Sequence, residues 1–155
     1  MDDNFRMFLE SVDVKEQGPI LDIHEFLTKN NCKCEMKSAK SGYVVSYVLG
    51  KPKRTLANFV CRKTGVKIRI YANNVDKYQE ILSTFPNQMK KEIMKSSDCK
   101  RLINPDDCNP KCSMGYTFIL DGLECKKCRY MAFMPTVKDD TLTYIMQILD
   151  KEIMA

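Results

Sequence analysis

Five of the chain's eight cysteines, Cys99, Cys108, Cys112, Cys125 and Cys128, fall within 30 residues. Zinc takes four thiolate or imidazole ligands in a tetrahedron, and they are commonly supplied as close pairs whose short loops turn both donors toward one point. Cys108-Asn-Pro-Lys-Cys112 and Cys125-Lys-Lys-Cys128 are such pairs, with 12 residues between them. Pro110 stiffens the first loop. Lys126 and Lys127 in the second can offset the net −2 charge of zinc held by four thiolates. Five candidates compete for four places. If residues 123–133 form an unbroken strand, Cys125 and Cys128 point to opposite faces, and the set becomes Cys99, Cys108, Cys112 and Cys128. A closed site of four thiolates braces a loop and leaves no open position for a substrate. The spacing matches no ferredoxin run of an iron–sulfur protein.

Reading the thiols as ligands rather than disulfides depends on the compartment. The start Met1-Asp2-Asp3-Asn4 lacks the basic region and apolar stretch of a secretory signal, and no run approaches the roughly 18 apolar residues of a membrane span. A cytoplasmic protein is expected, in which thiols stay reduced. At 155 residues, 44% hydrophobic and 29% charged, the chain has the size and composition of one folded domain.

The hydrophobic period changes along the chain. Phe5, Phe8, Leu9 and Val12 recur at helical spacing after Asp2 or Asp3 as N-cap. Gly18-Pro19 breaks the chain, and Pro19 opens a second helix carrying Ile20, Ile23 and Leu27. Alternation follows. Tyr43, Val45, Tyr47 and Leu49 share one strand face before a turn at Gly50–Lys53. Residues 55–63 and 66–72 make a hairpin at Thr64-Gly65, pairing Arg62 with Lys67 and Cys61 with Ile68. Asn73-Asn74 caps a helix holding Tyr78, Ile81 and Leu82, and Pro86 opens another with Met89 and Ile93. Residues Ser96–Gly115 read as loop. Tyr116–Leu120 and Leu123–Met134 form a hairpin at Asp121-Gly122, and a helix closes the chain from Asp139 to Met154. The class expected is α+β, a single domain over residues 1–155. It comprises an antiparallel meander packed with helices plus a cysteine-rich hairpin, with 97–134 as a zinc-stabilised subregion.

The other thiols carry weaker signals. Cys61 is expected inside as a small hydrophobe. Arg62 and Lys63 beside it favour the thiolate, but no partner base is in view. Cys32 and Cys34 can share a strand face as a redox or metal pair. His24, the lone histidine, reads as a solvated helix residue. With no second histidine and no Gly-rich phosphate loop, hydrolytic triads, HExxH zinc sites and P-loops are absent. Nothing points to an enzyme, although chemistry by carboxylates alone stays open.

Charge is uneven. The chain carries +5 in all, but residues 33–69 hold ten bases against the single acid Glu35. Lys51, Lys53, Arg54, Arg62, Lys67 and Arg69 are candidates for an anion-binding sheet face, with Tyr71 placed to stack on a base. The alternative is an ordinary solvated face.

The segments Gly42-Tyr43-Val44-Val45-Ser46-Tyr47, Thr55-Leu56-Ala57-Asn58-Phe59-Val60 and Val66-Lys67-Ile68-Arg69-Ile70-Tyr71 resemble the meander of small uncharacterised bacterial proteins of the YdhG/YjbR type, over about residues 20–95. The resemblance implies a compact α+β fold with an antiparallel sheet, likened in some relatives to a DNA-binding double wing. The stretch around Cys108 and Cys112 departs from that group, and no site residue is transferred.

Two functional classes follow. One is a non-catalytic, zinc-stabilised binding module that engages an acidic partner, nucleic acid foremost. The other is a small-ligand or thiol- and metal-sensing protein in which the cysteines act rather than brace.

Overall fold

Asp2 turns the chain into its first helix. In the computed structural model, which describes residues 2–39 and 42–155, the Asp2 carboxylate accepts from the Asn4 N–H at 2.7 Å, and α1 (Asp3–Ser11) follows with Phe5 and Phe8 buried. Asp13 repeats the device on Lys15 at 3.2 Å and starts α2 (Val14–Lys29). The break therefore lies at Val12-Asp13, not at the expected Gly18-Pro19, and Pro19 sits inside α2. Only the Lys15 carbonyl loses a helical partner there. Gly18 has no Cβ to meet the pyrrolidine ring, which is the usual clash before proline.

Four strands follow in spatial order as an antiparallel meander: β1 (Lys33–Ala39), β2 (Gly42–Leu49), β3 (Arg54–Arg62) and β4 (Gly65–Ile70). Val45, Tyr47 and Leu49 from β2, Ala57 and Phe59 from β3, and Val66, Ile68 and Ile70 from β4 point to one side and are buried. The core on that side takes in Phe5 and Phe8 of α1, Ile20, Ile23 and Leu27 of α2, and Ile145, Ile148 and Leu149 of the last helix. Phe8 stacks on Phe59 with ring centroids 5.8 Å apart. The expected α+β class and meander hold.

The β3–β4 register differs from the expected one. Arg62 faces Gly65, Cys61 faces Val66 and Val60 faces Lys67, so the loop is Lys63-Thr64. Gly65 takes φ +129°, a conformation that costs other residues dearly, and its N–H neighbour Val66 donates to the buried Glu16 carboxylate at 2.6 Å. A slip of two residues leaves every side chain on its face, but it separates Arg62 from Lys67. Cys61 keeps its inward parity yet is exposed, because it borders an open cavity of about 520 Å³ between the α1–α2 junction and the β3–β4 turn.

Beyond β4 the expected helix at Asn73-Asn74 is replaced by two 3₁₀ turns, Val75–Lys77 and Gln79–Thr84. Asn74 is drawn instead to Glu152, to which it donates its backbone N–H at 3.0 Å and its side-chain amide at 3.2 Å. Helix α3 (Asn87–Lys95) starts after Pro86 as expected, and the loop that follows contains a short α4 (Lys100–Ile103). The second hairpin, β5 (Tyr116–Leu120) and β6 (Leu123–Lys127), turns at Asp121-Gly122, where both residues take positive φ (49° and 83°). Strand β6 stops at Lys127 rather than running to Met134. The chain then crosses to the free edge of β4, where Phe133 and Pro135 carbonyls accept from Ile70 and Ile68. Helix α5 (Asp139–Met154) has the expected bounds. Among the described residues no helix is long and apolar enough to cross a membrane.

His24 is not a solvated surface residue. Its ring stacks on Phe5, centroids 3.7 Å apart, and its Nδ1 lies 2.7 Å from the buried Tyr47 hydroxyl. Burial holds its pKa below the usual 6.5, with Glu25 opposing in part. The unfolded chain therefore takes up this proton first, so the contribution to stability is present above about 6.5 and is lost as pH falls through and below that value. Thermal midpoints should drop between pH 7.5 and 5.5, and less so in His24→Gln. Parallel pH profiles for the two proteins would show that another group sets the slope.

Candidate metal centre and open sheet face

The cysteine-rich region is held together by backbone pairing. Cys99 N–H donates to Lys126 O and Cys128 N–H to Ser97 O, each at 2.8 Å, so 97–99 runs antiparallel to 126–128 with Asp98 opposite Lys127. Residues 97, 99, 126 and 128 then share one side of this ribbon, which brings Cys99 and Cys128 together as diagonal neighbours. Cys125 and Lys127 fall on the other side, and both are buried. Lys127 uses its ammonium there, donating to the carbonyls of Met94 (2.9 Å) and Ser96 (3.1 Å) and to Asp98 (2.9 Å), which fixes the approach to Cys99.

The remaining two cysteines come from the loop after α4. Cys108 takes φ +63°, and Asn109 closes the Cys108–Cys112 loop by accepting from Lys111 through its side chain and from Cys112 through its carbonyl, both at 3.0 Å. Arg101 of α4 clamps this loop by donating to the carbonyls of Pro110 and Cys112. Its Nε is buried without a partner. Gly115 then passes so close to β6 that a Cβ would stand 1.9 Å from Lys127 O and 2.8 Å from the Cys99 Cβ, and its N–H donates to Cys99 Sγ at 3.2 Å.

Cys99, Cys108, Cys112 and Cys128 line one cavity of about 320 Å³, together with four cations, Lys100, Arg101, Lys111 and Arg129, one acid, Asp98, and Tyr130. Walls with this excess of cations suit four thiolates around a dication, and an N–H aimed at a sulfur suits a ligating thiolate. Cys125 does not line it. Its Sγ lies 3.6 Å from Met94 Sδ, and burial pushes its thiol up, which favours the protonated form that does not ligate. Among the described residues no three His, Cys, Asp or Glu side chains stand close enough to hold a metal as they are placed. The four cysteines border a common space, across which their side chains would have to close to hold an ion. Gly115→Ala should force the chain off Lys127 and cost at least about 2 kcal/mol, in the range of overpacked core sites. A melting curve matching that of the parent protein would mean the ribbon is loose there.

The cationic residues of the meander occupy different places. Arg54 is spent in the interior on Glu152 (2.6 Å) and on the Tyr71 carbonyl (2.9 Å). Lys51 and Lys53 sit in the β2–β3 turn and Arg62 at the other end of β3, roughly 25 Å away along a nine-residue strand. Lys67 and Arg69 lie half-exposed on the face opposite the core. Register adds two residues that sequence reading missed: Lys33 and Lys37 of β1 pair with the outward Val48 and Val44. Their signal was present, since Lys33-Cys34-Glu35-Met36-Lys37 alternates with period two. The open face thus carries Lys33, Lys37, Arg62, Lys67 and Arg69 against Glu35, around Val44, Ser46, Asn58 and Val60. Tyr71 stands beside it, edge-on to Tyr130 with centroids 5.9 Å apart.

The other thiols show no activation. Burial pushes Cys32 and Cys34 up, and partial loss of solvent does the same at the surface-facing Cys61, where Glu16 adds to the rise while Arg62 opposes it. A nucleophilic cysteine needs the reverse shift. Comparison of the chain with protein-family models, curated proteins and solved structures finds no match.

Proposed function

We propose that this chain is a non-catalytic binding module, braced by one zinc ion on Cys99, Cys108, Cys112 and Cys128, that engages nucleic acid through the open face of its sheet. The observation that carries the reading is the single cavity shared by those four of the five clustered cysteines. Four thiolates fill a tetrahedral ion, so the metal braces rather than reacts. The charge of the open face supports an anionic partner, and phosphates of a backbone meet cations spread across a sheet better than a single small anion does.

Elemental analysis of purified protein tests the brace, with about one zinc per chain expected. A fluorescence anisotropy titration against oligonucleotides at several salt concentrations tests the partner. Each neutralised phosphate contributes roughly 0.7–0.9 to the slope of log affinity on log salt. Gln at Arg62, Lys67 and Arg69 together should flatten that slope by about two to three, while Gln at Lys138 and Lys151 on α5 should leave it unchanged. Protein that carries no zinc, or binds no oligonucleotide at low salt, removes the corresponding half of the reading.

A further inference from the structure

Arg129 and Tyr130 line the cysteine cavity and also meet the residues at the edge of the open sheet face. The Cys128 carbonyl accepts from Met131 (3.1 Å) and Ala132 (2.9 Å), a tight turn with Arg129 and Tyr130 at its bend. The Tyr130 carbonyl accepts from Arg69 Nε at 2.8 Å, and its ring stands at 89° to that of Tyr71. Arg129 places its guanidinium 5.5 Å from the Tyr71 ring centre and donates to Met114 O and Asn73 Oδ1, both at 3.1 Å. The chain then pairs with the β4 edge through Phe133, Pro135 and Val137. Tyr130 nonetheless leaves 44% of its surface exposed.

An aromatic ring that is open to solvent, on a residue whose backbone carbonyl is held by a guanidinium, matches the chemistry of an unpaired nucleobase. Such a base offers a π-face for stacking and a phosphate for the neighbouring cation. A duplex hides its base faces and meets only the charges.

We propose that Tyr130, with Tyr71 and Arg69, is a stacking platform for single-stranded nucleic acid, and that metal in the cysteine cavity holds it in place through Cys128. The proposal rests on the reading that the sheet face binds nucleic acid and the cavity binds zinc. It assigns Tyr130, which the sequence did not single out, as the residue that distinguishes single strands from duplexes. The coupling is mechanical. Arg129 touches both the cavity and Tyr71, so a ligand set that closes on an ion fixes the turn from which Tyr130 projects.

The experiment titrates zinc-loaded protein into a fluorescent single strand of about 12 nucleotides and into its duplex, for the parent chain and Tyr130→Ala, and repeats both with chelator-treated parent protein. Loss of the exposed ring should weaken the single strand roughly 5- to 150-fold, the span of one stacked base, and leave the duplex within about twofold. Chelation should reproduce the selective loss, with circular dichroism reporting the state of the meander. Equal effects on single strand and duplex, or none in Tyr130→Ala, would overturn the platform. Undiminished single-strand preference after zinc is shown to be gone would overturn the coupling. Failure of the underlying reading looks different: loaded parent protein then binds neither oligonucleotide, or contains no zinc, and the proposal falls with it.

Discussion

Cys99→Ser is expected to abolish zinc binding and to melt the region from Ser97 to Met131, whereas Cys125→Ser should retain about one zinc per chain. The two residues are equally cysteine-like by sequence, and the ribbon register separates them. Cys99 shares a side with Cys128, lines the cavity and receives the Gly115 N–H on its sulfur. Cys125 faces Met94 from the opposite side. Structural zinc contributes an apparent binding energy of about 10 kcal/mol or more, so loss of a ligand exceeds any packing effect of a thiol-to-hydroxyl change. Cys125→Ser should still cost about 1–3 kcal/mol, because it buries a hydroxyl beside the Met94 thioether, with only the Leu123 carbonyl nearby to accept from it. Metal content by elemental analysis, read beside a melting curve, distinguishes the two losses. Equal loss of zinc in both variants would mean that the ligand set includes Cys125 and that the ribbon rearranges to admit it.

What the sequence revealed follows from how local each signal is. Helix α5 was legible to the residue because its stripe of Leu142, Ile145, Leu149 and Ile153 is long and uninterrupted. The meander was legible because alternation and turn residues agree. The β3–β4 register was not, since Thr64-Gly65 and Lys63-Thr64 are both acceptable loops, and the choice is made by Glu16, 50 residues away, accepting from Val66. The capping role of Asn73-Asn74 failed for the same reason, as Glu152 outcompetes a local helix for Asn74. At the cysteines, spacing supplied the five candidates and set Cys125 aside only if 123–133 were an unbroken strand; β6 ends at Lys127, and it is the pairing of 97–99 with 126–128, across nearly 30 residues, that puts Cys125 and Cys128 on opposite sides. The role of Arg129 and Tyr130 was invisible because it depends on where β6 ends, and a run of mixed polarity gives no period from which to place that end.

Arg54 shows why a basic residue in a basic segment need not face a partner, and it leads to the second large effect. Glu152 has no exposed side-chain surface. It accepts from Arg54 at 2.6 Å, from Asn74 twice and from the Tyr78 hydroxyl, joining α5 to β3 and to the 3₁₀ turns. Burial, and then the charge of Glu152, push the Tyr78 hydroxyl up, so it stays a donor. A buried charge so well surrounded is costly to break by halves: Glu152→Gln leaves the Arg54 guanidinium, 18% exposed, without its counterion. The expected loss is about 3–5 kcal/mol, which lowers the midpoint by roughly 6–20 °C for a chain of this size. Arg54→Leu should cost a similar amount, and the double variant Glu152→Gln with Arg54→Leu less than the sum of the two, because neither charge is then stranded. Thermal unfolding of the four proteins closes the cycle, and strict additivity would show that the pair is not coupled. The same variants separate architecture from binding. Arg54→Leu should leave the salt slope of oligonucleotide affinity unchanged while it lowers the melting point, since its guanidinium meets Glu152 and the Tyr71 carbonyl rather than phosphate. A slope that falls by about one would instead return Arg54 to the binding face and require the α5 contact to open when nucleic acid binds.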